Sequence, residues 1–164
     1  MSVKWNGTKL VKLIADNEIK VAELYRTMAK EVNKGIGVQF FENLAKDEER
    51  HNMIYAALLG KVPDVGDVEL DEDDAKYLDL LIDNNFLNDS EAVIAKARAL
   101  FDKSQVFDIA ERVETDSVMF VTELARVYPD LAKGDLATIL KEEKKHLRTI
   151  LEKKTDRSIF RIGM

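Results

Sequence analysis

The chain holds two histidines, and each stands three residues after a glutamate: Glu48 and His51 in "KDEERH", Glu143 and His146 in "KEEKKH". On an α-helix, residues i and i+3 share one face about a turn apart, so a carboxylate and an imidazole at that spacing can reach a common centre. One Glu-x-x-His is a weak pattern. A pair that uses up every histidine is far more specific. Oxygen and nitrogen ligands without thiolate suit iron or manganese better than a structural zinc. The chain has no cysteine, which excludes disulfides, thiolate zinc sites and iron–sulfur clusters within it.

Helices must position these residues, and four long segments show helical periodicity. The first runs from about Thr8, a candidate N-cap, to Asn33, with a seam of Val11, Ile14, Glu18, Val21, Tyr25, Met28 and Val32. The second runs from about Val38 to Leu59, with Phe41, Leu44, Glu48, His51, Tyr55 and Leu58 in line. The turn "NKGIG" separates them. The third begins near Ser104 and reaches Tyr128, its seam passing through Phe107, Ala110 or Glu111, Glu114, Val118, Val121, Ala125 and Tyr128. The fourth begins near Asp135, another candidate N-cap, and aligns Leu136, Ile139, Glu143, His146 and Ile150. In every helix, charged groups interrupt an otherwise apolar stripe. Buried singly they would be very costly, so they must be paired or bound to metal.

The turn positions assemble the set. The midpoint of Glu18 and Glu48 is residue 33, inside the first turn; that of Glu114 and Glu143 falls between Tyr128 and Pro129. In an antiparallel hairpin, residues equidistant from the turn lie at one height. Each hairpin therefore sets a lone glutamate opposite its Glu-x-x-His. Glu18, Glu48, His51, Glu114, Glu143 and His146 give four carboxylates whose charge two divalent ions would cancel. Residues 60–103 form a connection long enough to carry the chain along the bundle. It opens with the acidic stretch 64–74, read as a solvated loop, followed by two shorter helical patterns, "DDAKYLDLLIDNN" and "DSEAVIAKARALF". The predicted architecture is all-α. One hairpin (about 8–59) and a second (about 104–154) flank the crossover within one domain, and the tail "DRSIFRIGM" is unassigned.

Glutamates from two helices plus Glu-x-x-His from two others form the ligand set of ferritin-like di-iron bundles. The chain resembles that superfamily and, within it, the rubrerythrin-like proteins. "EIKVAELY" is similar to the family's first helix, with Tyr25 seven residues after Glu18, and "ETDSVMF" to the start of its second half. The resemblance implies that Glu48 and Glu143 bridge two irons while Glu18, His51, Glu114 and His146 cap them. It also implies reduction of hydrogen peroxide or oxygen by a homodimer. The cysteine-rich rubredoxin domain of full rubrerythrins is absent, so electrons would come from a separate, rubredoxin-like donor. A ferroxidase or other iron-handling protein, or a metal-binding protein without turnover, would use the same six residues. Val121 occupies the place of Tyr25 in the second half, so the halves are not equivalent. Tyr25 either hydrogen-bonds a ligand carboxylate or is a core tyrosine. Glu111, Asp47 and Glu142 read as solvated acids; the alternatives are a further carboxylate near the metals for Glu111 and contacts to the histidines for the other two.

Composition narrows the setting. The 164 residues are 46% hydrophobic and 34% charged, with seven Gly and two Pro, a mix suited to a helical globular chain. A net charge of −6 disfavours nucleic acid and anionic membrane surfaces as partners. The N-terminus lacks a signal-peptide core, and no apolar run approaches transmembrane length, so a cytoplasmic location is expected.

Overall fold

Apolar spacings of three and four residues produce four long helices in the computed structural model, which describes residues 1–32, 36–61, 65–100, 102–131 and 133–155. They are α1 (Thr8–Val32), α2 (Ile36–Lys61), α5 (Val106–Val127) and α6 (Asp135–Thr155). Helices α1 and α2 pack along each other, as do α5 and α6; α1 also packs on α5, and α2 on α6. Two hairpins thus close a four-helix bundle, as the periodicity predicts. No helix among the described residues is long and apolar enough to cross a membrane. The predicted tail and most of the first turn lie outside the described residues.

The predicted seams are the buried faces, with local shifts. All five positions of the α6 seam are buried, whereas on α5 Val118 and Ala125 are only partly buried and Leu124 is fully buried instead. Two apolar clusters result. One holds Tyr25, Phe41, Phe107, Ala110 and Ile150; the other holds Trp5, Tyr55, Phe120, Leu124, Leu136 and Ile139. The ring centroids of Phe41 and Phe107 are 5.5 Å apart, joining α2 to α5 across the first cluster.

The connection corrects one expectation. The acidic stretch is not simply a solvated loop: β2 (Asp67–Asp71) pairs antiparallel with β1 (Ser2–Asn6), with Trp5 opposite Val68. Alternation of Val68 and Leu70 with exposed acids lets one face of the ribbon pack on the bundle while the other meets water. Its acids are also structural. Asp71 caps α3 (Glu72–Asp83) by accepting from the Asp73 N–H at 2.9 Å, and the acidic first turn complements the helix dipole. Asp74 accepts two hydrogen bonds from Arg126 on α5, at 3.0 and 2.8 Å.

A 3-10 turn at Phe86–Asp89 leads into α4 (Ser90–Ala99), which packs on α1, and a second at Lys103–Gln105 precedes α5. The third long helix accordingly begins two residues later than predicted. The predicted caps also move. At α1, Asn6 Oδ1 accepts from the Thr8 N–H at 3.0 Å, while Thr8 Oγ1 accepts from Val65 at 3.3 Å. At α6, the Thr138 N–H reaches the carbonyl of Gly134, whose φ of +71° favours glycine.

Candidate metal centre

Each helix of the bundle sends its seam acid or acid–imidazole pair into the layer between the apolar clusters. Glu18, Glu48, His51, Glu114, Glu143 and His146 are between 0% and 5% exposed. They form two overlapping groups whose ligating atoms lie within 4.8 Å of one another: Glu18, Glu48, His51 and Glu143; and Glu48, Glu114, Glu143 and His146. All six sequence-predicted residues therefore converge, and Glu48 and Glu143 belong to both groups.

The sharing is visible atom by atom. Glu48 turns Oε2 toward His51 Nδ1, at 3.1 Å, and Oε1 toward His146 Nδ1, at 3.0 Å. Glu143 does the same, with Oε1 at 3.1 Å from His51 Nδ1 and Oε2 at 3.4 Å from His146 Nδ1. Glu18 Oε2 stands 3.7 Å from His51 Nδ1, and Glu114 Oε2 3.8 Å from His146 Nδ1. The imidazoles stack with centroids 5.8 Å apart and 23° between planes. Two central carboxylates thus straddle two positions, each flanked by one further carboxylate and one imidazole nitrogen.

The outer nitrogens are held as well. His51 Nε2 donates to Glu142 Oε2 at 2.7 Å, and His146 Nε2 donates to Asp47 Oδ2 at 3.2 Å. Arg50 donates to Glu142 at 2.6 Å and lies 3.5 Å from Asp47, closing the pair. Sequence reasoning favoured solvated acids here, and the contacts overturn that preference. The signal was an acid immediately before the inward glutamate in both halves. One step before the inward glutamate, a side chain rotates toward the neighbouring helix, so α2 braces the histidine of α6 and the reverse. A carboxylate on the far nitrogen fixes the tautomer and aims Nδ1 inward.

The electrostatics reflect crowding. Burial, then the Glu48 and Glu143 charges, raises the pKa of Glu18 and of Glu114 well above the ordinary carboxylate value. Burial also pushes Glu48 upward, but its close contacts with His146 and His51 outweigh it and leave Glu48 lowered. Burial disfavours the charged histidines, yet the facing carboxylates reverse the effect and raise both. Tyr25 touches the converging cluster: its hydroxyl donates to Glu114 Oε1, across the bundle from its own hairpin. Val121, at the matching place in α5, is buried and apolar. Glu111 is paired with Lys154 at 2.5 Å on the partly exposed side of α5, in keeping with its reading as a solvated acid.

The rubrerythrin family profile matches residues 14–153, which span all six converging residues. The chain belongs to the rubrerythrin family. No curated protein matches it. Among solved structures, a ferritin-like diiron-carboxylate protein of Thermotoga maritima superposes with a TM-score of 0.70 at 21% identity, covering 94% of this chain and 97% of the other. That likeness establishes the ferritin-like fold. Within the rubrerythrin frame, Tyr25 is the conspicuous asymmetry: it ties one oxygen of Glu114, with no tyrosine at the equivalent place in the other hairpin.

Proposed function

We propose that this chain is a di-iron oxidoreductase that reduces hydrogen peroxide to water with electrons from an external donor protein. The observation that supports it best is the sharing of Glu48 and Glu143 between two otherwise complete ligand groups. That arrangement suits two metal ions at bridging distance, whereas two independent sites would need separate carboxylates.

The donor set fits such a pair. Glu18 Oε2, Glu48 Oε1, Glu114 Oε2, Glu143 Oε2 and His146 Nδ1 are buried and make no well-aligned hydrogen bond, the 3.0 Å approach of Glu48 Oε1 to His146 Nδ1 included. Unsatisfied buried polar atoms are rare in native proteins, and these all point into the same layer. Four carboxylates balance two divalent ions, and the oxygen–nitrogen ligation favours iron, with manganese the next candidate. In this reading Glu18 and His51 would hold one ion, Glu114 and His146 the other, and Glu48 and Glu143 would serve both.

Two ferrous ions held there would supply the two electrons that, with two protons, convert one hydrogen peroxide into two waters. The protein supplies everything else. Glu142 and Asp47 hold the imidazoles with Nδ1 inward. Tyr25 occupies Glu114 Oε1 and so leaves Oε2 directed at the centre. The apolar clusters on either side keep bulk water from the ligands and strengthen every electrostatic contact between them. Membership of the rubrerythrin family supports peroxide as the oxidant.

The test is metal analysis of anaerobically purified protein, followed by stopped-flow mixing with peroxide and, separately, oxygen. About two irons per chain and oxidation faster with peroxide are expected. Preferential reaction with oxygen while taking up iron would favour a ferroxidase, and no spectral change with either oxidant would end the peroxidase reading.

A further inference from the structure

Among the described residues, one buried side-chain polar atom outside the six converging residues also lacks a hydrogen-bond partner: the hydroxyl of Tyr55. The five atoms of the converging residues that make no well-aligned hydrogen bond would be satisfied by metal ions. The phenol would not. Leaving a buried hydroxyl unmatched is costly, so its retention calls for a partner that is not a protein atom.

Packing does not explain the hydroxyl. Tyr55 lies one turn beyond His51 on the α2 seam, and the matching place on α6, four residues after His146, is the buried Ile150. An apolar side chain serves there. Tyr25, the other tyrosine close to the site, already spends its proton on Glu114. Burial, followed by the charges of Glu18, Glu143 and Glu48, raises the Tyr55 pKa, so the group sits within the field of the carboxylate layer and remains a donor. Tyr55 also lies against solvent access. A cavity of about 410 Å³ opens between α2 and α6, with Arg50, Met53 and Lys133 toward the outside and the buried Tyr55, Leu136 and Ile139 as its floor.

We propose that the Tyr55 hydroxyl donates a hydrogen bond to the small oxygen ligand of the two-metal centre, water at rest and hydrogen peroxide as substrate, and that this ligand enters through the α2–α6 cavity. The inference rests on the di-iron reading above but not on turnover. Tyr55 is then a substrate-binding residue, the donor that orients a molecule too small to be gripped by shape.

Azide serves as the probe, titrated into oxidised, iron-loaded protein and followed by its visible charge-transfer band. Tyr55→Phe should retain two irons per chain and bind azide about tenfold more weakly, the loss of roughly one hydrogen bond. Wild-type affinity in that variant overturns the proposal. Should the variant fail to fold or to hold iron, the infrared stretch of azide bound to the wild-type protein decides. A shift between H2O and D2O supports the donor, and its absence overturns it. Ala57→Trp at the cavity rim should slow azide association without altering final affinity, and an unchanged rate overturns the entrance. A protein that binds azide through Tyr55 yet leaves peroxide unreduced would lose the peroxidase reading and keep this one; a protein that takes up no iron loses both.

Discussion

Single side chains decide how firmly the centre is aimed. The Glu142 carboxylate serves His51 and Arg50 at once, so its removal frees an imidazole and strands a guanidinium. Glu142→Gln should weaken metal binding by roughly 10- to 100-fold, the usual effect of losing an outer-shell partner, measured by competition with a chromogenic chelator. Proton accounting gives a second expectation. Glu18, Glu114, His51 and His146 all have raised pKa values, which favour their protonated forms and set protons in competition with a metal. Metal uptake should therefore release protons, and affinity should fall as pH falls. Calorimetry in two buffers of different ionisation enthalpy measures the release directly, and a buffer-independent heat would contradict it.

Among elements, the β-ribbon shows how distant segments fix the end of the bundle. Tyr128, just after α5, accepts from the Gly7 N–H at 2.8 Å and donates to the Gly66 carbonyl at 2.7 Å, joining the start of α1 to the approach to β2. A Cβ on Gly7 would lie 2.4 Å from the Tyr128 ring. The ring is hydrogen-bonded through its hydroxyl and cannot retreat cheaply. Gly7→Ala should destabilise by about 1–3 kcal/mol, the range for overpacking a tight core, read as a lower urea midpoint with helical circular dichroism otherwise retained. Trp5 adds a second tie, its indole N–H donating to Asp79 Oδ1 at 2.9 Å, so β1 is fastened to α3 as well as to β2.

For the whole molecule, burying four carboxylates between two apolar clusters makes folding and metal binding one problem. Metal that binds only the native state stabilises it by about 2.7 kcal/mol at a free concentration 100-fold above Kd, on the order of 5–10 °C for a chain of this size. Chelation should lower the melting temperature by that much, and an unchanged melt would show that the acids do not hold metal in the folded protein. Assembly bears on function at the same scale. Mineral storage needs a closed shell of many subunits, so a dimer by light scattering, the state expected, would argue against storage.

Much of this was legible before folding. The i, i+3 pairs, the lone Glu18 and Glu114, and the turn positions required only helical geometry and antiparallel heights, because a helix fixes its faces through local bonding. The six residues, the hairpins and the long connection follow from that. What local periodicity cannot carry is any choice among neighbours that are far apart in sequence. Tyr25 binding Glu114 rather than Glu18, Glu142 and Asp47 bracing the opposite helix's histidine, and an acidic segment becoming the partner of β1 all depend on which surfaces meet. The hydroxyl of Tyr55 is of the same kind: the sequence places it on the buried seam, and only the packed bundle leaves it without a protein partner. The sequence determined which residues face inward and at what height; the tertiary structure alone decided which of them touch, because that depends on how the helices are rotated and brought together.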